Sequence, residues 1–171
     1  TLPEKAEKWI QENESRVARF AHHHFDRSSV FFLGRGLDCK LAMEASLKLK
    51  EVSYIHSEAY AAGELKHGTI ALIEPGTLVV ALSTQDDLRE KMIGNVTEVK
   101  VRGAKILLLT AGEADSLDQE ADEVLRIPDT LPLLRPIVSI LPLQLFAYYM
   151  ALERGCDIDK PRNLAKSVTV E

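Results

Sequence analysis

The chain carries no long basic run, few aromatic side chains and only two cysteines, and each shortage removes a class of function. With a net charge of −5 and no clustered lysine and arginine, nucleic-acid surfaces and polyanionic partners are excluded in favour of a small-molecule protein. Cys39 and Cys156 lie far apart without Cys-x-x-Cys spacing, the usage of a reduced cytoplasmic protein, so no disulfide is expected. Long unbroken apolar runs are missing too. The richest stretch, Pro136 to Leu152, is interrupted by Ser139, Pro142 and Gln144, which reads as a core helix rather than a membrane span. The opening Thr1-Leu2-Pro3-Glu4 has no methionine and no basic-then-apolar signal; a piece cut from a longer chain, or a processed start, is expected.

What is present is a repeated alternation of strand and helix. Ala6, Trp9, Ile10, Val17, Phe20 and Ala21 recur at helical intervals from Pro3 to about His24. Ser28–Leu33 is a short β-branched and aromatic run stopped by Gly34-Arg35-Gly36, after which a helical pattern runs from Leu41 to Val52. Leu78–Leu82, the helix Leu88–Val101 and the strand Lys105–Leu109 repeat this order; Val124–Ile127 adds a short strand and Pro136–Arg154 a last helix. Such alternation predicts an α/β fold, a parallel sheet covered by helices on both faces. At 171 residues, with roughly 70% of the unfolded surface buried, one domain over 1–171 is expected. The tail 157–171 has no periodicity.

The most informative stretch is Leu41–Glu51, where Glu44, Lys48 and Glu51 fall at i, i+4 and i+7. At about 100° per residue, Leu41, Ala45, Leu49 and Val52 form the buried arc. Lys48 then sits at its edge with both carboxylates alongside, while Lys50 faces water. Charges placed at the boundary of an apolar stripe suit a half-buried site for proton transfer; the plainer alternative is a solvated i,i+4 ion pair.

Other signals stay open. Gly34-Arg35-Gly36 suits an anion-holding turn or simply a tight turn, and Cys39 stands where a dinucleotide fingerprint needs its third glycine. Ser83-Thr84-Gln85 supplies either ligand contacts or helix caps. His67, in a glycine-rich loop, fits a proton carrier or an ordinary surface histidine. Cys39 near a helix start is either a favoured thiolate or a buried thiol. The rings of His22, His23 and His24 splay around a helix and cannot converge on one metal ion, so no metal or cofactor is expected. Lys166 matters only if the tail folds over a site, where an amine beside a carbonyl forms a Schiff base.

Four blocks, in order, give the chain a family likeness: Phe32-Leu33-Gly34-Arg35-Gly36, Glu44 to His56, Glu58 to Gly68, and Lys160 to Glu171. From Val30 to Glu171 the sequence resembles the carboxyl-terminal half of the isomerase region in the glutamine–fructose-6-phosphate aminotransferase family. The resemblance implies a sugar isomerase (SIS) domain, a flavodoxin-like three-layer αβα sandwich on a five-stranded parallel sheet, with 157–171 as an active-site tail. In that family a glutaminase domain passes ammonia to two SIS domains, which turn fructose 6-phosphate into glucosamine 6-phosphate. This chain would be the second of them, working in a homodimer and alone making no product.

By the same resemblance Glu51 is the base moving a proton between C1 and C2, and Lys48 relays a hydroxyl proton. His67 opens the sugar ring in the neighbouring subunit's site, and Lys166 forms the imine. Glu44 supports the lysines, and Ala165 offers backbone near the sugar. The family's phosphate-gripping loop belongs to the first SIS domain; Ser83-Thr84-Gln85 occupies the corresponding place here without its glycine and second hydroxyl pair. A non-catalytic sugar-phosphate module or a related deglycase or isomerase is the alternative, but the Asn163–Glu171 tail favours the aminotransferase.

Overall fold

In the computed structural model, which describes residues 1–164, five short strands form one parallel sheet in the order β2-β1-β3-β4-β5. They are β1 (Ser29–Gly34), β2 (His56–Ala61), β3 (Leu78–Ser83), β4 (Lys105–Thr110) and β5 (Glu123–Arg126). The inner three are apolar at nearly every position because both faces are covered. Val30 and Phe32, Leu78, Val80 and Leu82, and Leu107 and Leu109 point to one core. Their neighbours Phe31 and Leu33, Val79 and Ala81, and Ile106 and Leu108 point to the other.

The first core is closed by α1 (Leu2–His24), α2 (Leu37–Ser53) and α4 (Arg135–Glu153). α3 (Arg89–Lys100) and the 3-10 segments Ala62–His67 and Thr69–Leu72 close the second. Trp9 anchors α1 to the far edge strand by donating its indole N–H to the Arg126 carbonyl at 2.7 Å. The apolar segment Pro132–Glu153 is long enough to cross a bilayer by length and composition. Its side chains Val138, Leu143, Phe146 and Met150 are buried in the first core, as a core helix requires.

The αβα sandwich and five-stranded parallel sheet agree with the expected class, but two elements differ in detail. β2 escaped the reading from residue pattern, because an edge strand that alternates Glu58 and Tyr60 with small residues carries little apolar signal. α2 begins four residues earlier than the periodicity suggested.

That earlier start has a cause in the chain reversal after β1. A Cβ at Gly34 would lie 2.5 Å from the Asp38 carbonyl group, so only glycine lets the first turn of α2 fold back this closely. Asp38, 2% exposed, then crosses the gap to β3: its carboxylate accepts the Thr84 amide at 2.7 Å and the Thr84 hydroxyl at 2.5 Å. Hydrogen bonds to a buried charge are stronger than neutral ones, and their loss strands a buried N–H. Asp38→Ala should therefore cost about 2–3 kcal/mol in urea unfolding; a loss below about 0.5 kcal/mol, the scale of an ordinary surface change, would contradict this role.

Candidate active site

The order of the sheet changes direction between β1 and β3, and ligands of such folds usually sit beyond the strand ends at that point. Here the residues at the strand ends bond to one another. Thr84 gives both donors to Asp38, and the Gln85 side-chain amide donates to the Arg35 carbonyl at 2.7 Å. Arg135 donates to the Thr84 carbonyl at 2.7 Å and pairs with Asp86 at 2.9 Å. The hydroxyl of Thr84 thus donates to Asp38. These same residues, Thr84, Gln85, Asp86 and Arg135, line a cavity of about 480 Å³ together with Leu37 and Pro132.

The charged row of α2 lies elsewhere, on the outer shoulder of the helix. Lys48 donates to Glu51 at 2.5 Å and stands 3.7 Å from Glu44. Side-chain exposures of 33% for Lys48, 27% for Glu51 and 46% for Glu44 place the first two at the half-buried boundary, and Lys50 faces water as expected. The Lys48 pKa is raised, mainly by the hydrogen bond to Glu51; partial burial opposes this, and the charges of Glu51 and Glu44 add to it. A held ammonium beside a carboxylate on a rigid helix can pass protons between neighbouring atoms of a bound molecule.

His67 ends the 3-10 segment Ala62–His67 and is exposed. Among the described residues no hydrogen bond or ion pair joins it to Lys48 or Glu51. What steadies its segment is Arg35, whose guanidinium lies over Gly63, where a Cβ would meet it at 2.9 Å, and donates to Asn95 at 2.9 Å. Ala165 and Lys166 lie outside the described residues. Cys39 is buried, and Cys39 and Cys156 are free thiols. His22 pairs with Glu153 and His23 with the Arg19 carbonyl, so their rings turn to different partners.

Several residues that shape this region had no signal in the pattern of the chain. Asp38 looks like an ordinary acid in a first helical turn, and only the parallel pairing of β1 with β3 brings it to Thr84. Tyr54, the cap of α2, has a left-handed backbone (φ 60°) that glycine or asparagine would normally supply. The tail is also less free than its composition suggested: Arg154 donates to the Ser53 carbonyl at 3.0 Å, and the Arg162 amide donates to the Tyr54 hydroxyl at 2.8 Å.

Comparison with known proteins places this arrangement. Residues 23–154 match the model of the SIS domain family. The chain is 57% identical over 170 residues to the glutamine–fructose-6-phosphate aminotransferase (isomerizing) of Caldanaerobacter subterraneus subsp. tengcongensis, covering 99% of this chain and 28% of that one. The corresponding protein of Clostridium acetobutylicum is 55% identical over 171 residues, again with 28% of its length covered. The chain thus spans under a third of these relatives. Among solved structures, the C-terminal domain of glucosamine-fructose-6-phosphate aminotransferase from Francisella tularensis superposes with a TM-score of 0.80 at 35% identity, covering 88% of this chain and 43% of that one.

The electrostatics of Lys48 can be checked directly. Glu51→Gln removes the largest influence holding its pKa up, so more free amine is present at a given alkaline pH. Peptide-resolved labelling with an amine-directed reagent near pH 10 should show Lys48 reacting faster than in the parent, and Glu44→Gln should have a smaller effect. An unchanged rate in Glu51→Gln would refute the coupling.

Proposed function

The chain belongs to the SIS domain family, and from that premise we propose that it is the second SIS domain of a glutamine–fructose-6-phosphate aminotransferase. Its share of the work is the imine and proton-transfer chemistry that turns fructose 6-phosphate and ammonia into glucosamine 6-phosphate. One observation carries this reading: the Lys48–Glu51 pair, hydrogen-bonded and half-buried on the shoulder of α2.

The chemistry explains the residue types. His67 opens the sugar ring by handling the protons of the ring oxygen and anomeric hydroxyl, work suited to an imidazole that can both give and take a proton. Lys166 condenses with the C2 carbonyl, releasing water, and ammonia later takes its place at C2. An imine at C2 acidifies the C1–H bond, and Glu51 removes that proton to leave an enamine. Glu51 hands the proton back to C2, and Lys48 gives one of its own protons to water as it takes the O1 proton, which leaves the C1 aldehyde and an amine on C2. A single carboxylate on a rigid helix serves both carbons. Glu44 keeps the lysine charged, in line with its 3.7 Å approach to Lys48, and Ala165 contributes backbone beside the sugar.

Other domains are needed on this reading. The Thr84 donors face Asp38, so the phosphate is held by a loop of the first SIS domain and ammonia comes from the glutaminase domain of the same longer chain. Cover for the α2 shoulder has a counterpart in exposed apolar side chains: Leu37, Met43 and Leu47 on α2, and Ile137, Tyr148 and Leu152 on α4. A homodimer in which His67 serves the neighbouring subunit's site accords with the lack of a hydrogen bond or ion pair between His67 and the row on α2 among the described residues. The free thiols suit a cytoplasmic setting.

In the full-length protein, Glu51→Gln should lower sugar turnover with ammonia by about 10²–10⁴-fold, the usual contribution of a positioned base, while glutamine hydrolysis persists. Unimpaired sugar turnover would defeat the assignment.

A further inference from the structure

Tyr54 is an unlikely residue for its place. It caps α2 with φ 60° and ψ 17°, its amide still bonded to the Lys50 carbonyl at 3.2 Å. In this conformation Cβ crowds the backbone, and a bulky side chain there is a true outlier, whereas glycine fits without strain. The side chain must therefore contribute something glycine cannot. Both of its ends meet one residue: the Arg162 guanidinium lies over the ring, 4.1 Å from the centroid, and the Arg162 amide donates to the hydroxyl at 2.8 Å.

The rest of the arm is gathered to the same helix end. Arg154 bonds the Ser53 carbonyl at 3.0 Å and the Phe25 carbonyl at 2.9 Å, and the Cys156 thiol lies 3.7 Å from the Ser53 carbonyl. Asp157 folds the next turn by accepting the amides of Asp159 and Lys160 at 3.1 and 2.9 Å. Beyond Arg162 the chain turns at Asn163, which has φ 61°. Glu51 sits less than one helical turn before Tyr54.

We propose that Tyr54 is a latch for the C-terminal arm, a positioning residue that fixes, beside Glu51, the point from which the segment bearing Lys166 departs. Four residues of extended chain reach at most about 14 Å, so the latch at Arg162 leaves only that length of chain before Lys166. Without the latch the last held residue is Lys160, in the turn closed by Asp157, and the free length before the lysine grows from four residues to six. The strain at Tyr54 is then the cost of a pre-organised amine. This inference rests on the reading of Lys166 as the imine-forming lysine, and its test separates the two.

In the full-length protein, Tyr54→Gly keeps the backbone comfortable and removes the latch, Tyr54→Phe keeps the ring alone, and Arg162→Leu removes the guanidinium without touching α2. Native trypsin cleavage after Arg162 should be about tenfold faster in Tyr54→Gly than in the parent, given the usual strengths of one exposed cation–π contact and one hydrogen bond, and intermediate in Tyr54→Phe. Borohydride trapping of fructose 6-phosphate on Lys166, read by mass, should fall about tenfold in Tyr54→Gly and less in Tyr54→Phe, with a fall also in Arg162→Leu. The thermal midpoint of Tyr54→Gly should hold or rise, which a merely structural tyrosine would not allow. Cleavage unchanged in Tyr54→Gly overturns the latch whatever the sugar chemistry, and faster cleavage with unchanged trapping overturns its positioning role. If the parent itself traps no sugar on Lys166, the imine reading falls, and the cleavage rates alone still decide whether Tyr54 holds the arm.

Discussion

The carboxylate of Asp38, buried between the start of α2 and the end of β3, is the constraint on which the placement of the site depends. A helix over a parallel sheet is held along its length by apolar packing, which is strong but has little preference for small slides or rotations. Directional bonds supply what packing lacks. Two short hydrogen bonds from Thr84, together with the close approach that Gly34 permits, fix the first turn of α2 against two strands at once. The positions of Glu44, Lys48 and Glu51, up to four turns away along a rigid rod, follow from that fixed end.

The same contact also shapes the crevice at the strand ends. An α/β sheet of this order offers a ready crevice between β1 and β3, and backbone amides at a helix start make it attractive to anions. Asp38 puts a negative charge of the protein's own into it, Gln85 bridges its mouth, and Arg135 is drawn into the loop by Asp86 and the Thr84 carbonyl. Gln85, Asp86 and Arg135 form part of the wall of the cavity that remains there. The charged row of Glu44, Lys48 and Glu51 lies apart from it, on an outer helical surface.

Much of this was legible in the chain because it rests on periodicity. Burial on both faces makes β1, β3 and β4 continuous apolar runs, and the 3.6-residue repeat of α2 places Lys48 at a boundary before any coordinates are known. The rest depends on what meets what across the fold. β2 is an edge strand, paired on one side only with β1, so its polar positions break the apolar alternation by which a strand is read. Asp38 meets Thr84 across 46 positions of sequence, a separation no local pattern reports. Tyr54 is harder still, since a left-handed cap is normally announced by glycine or asparagine.

That last case shows how the two ends of α2 differ in kind. At its start, glycine and a buried acid lower the free energy of the conformation, and the result is rigidity. At its end an unfavourable residue persists, and strain of this sort survives only where the surroundings over-determine it. Arg154 on the Ser53 carbonyl, Arg162 on the ring and hydroxyl of Tyr54, and the Asp157 turn between them provide those surroundings. A helix anchored by stable contacts at one end and joined to a returning chain at the other can bring side chains more than a hundred positions apart to one small volume.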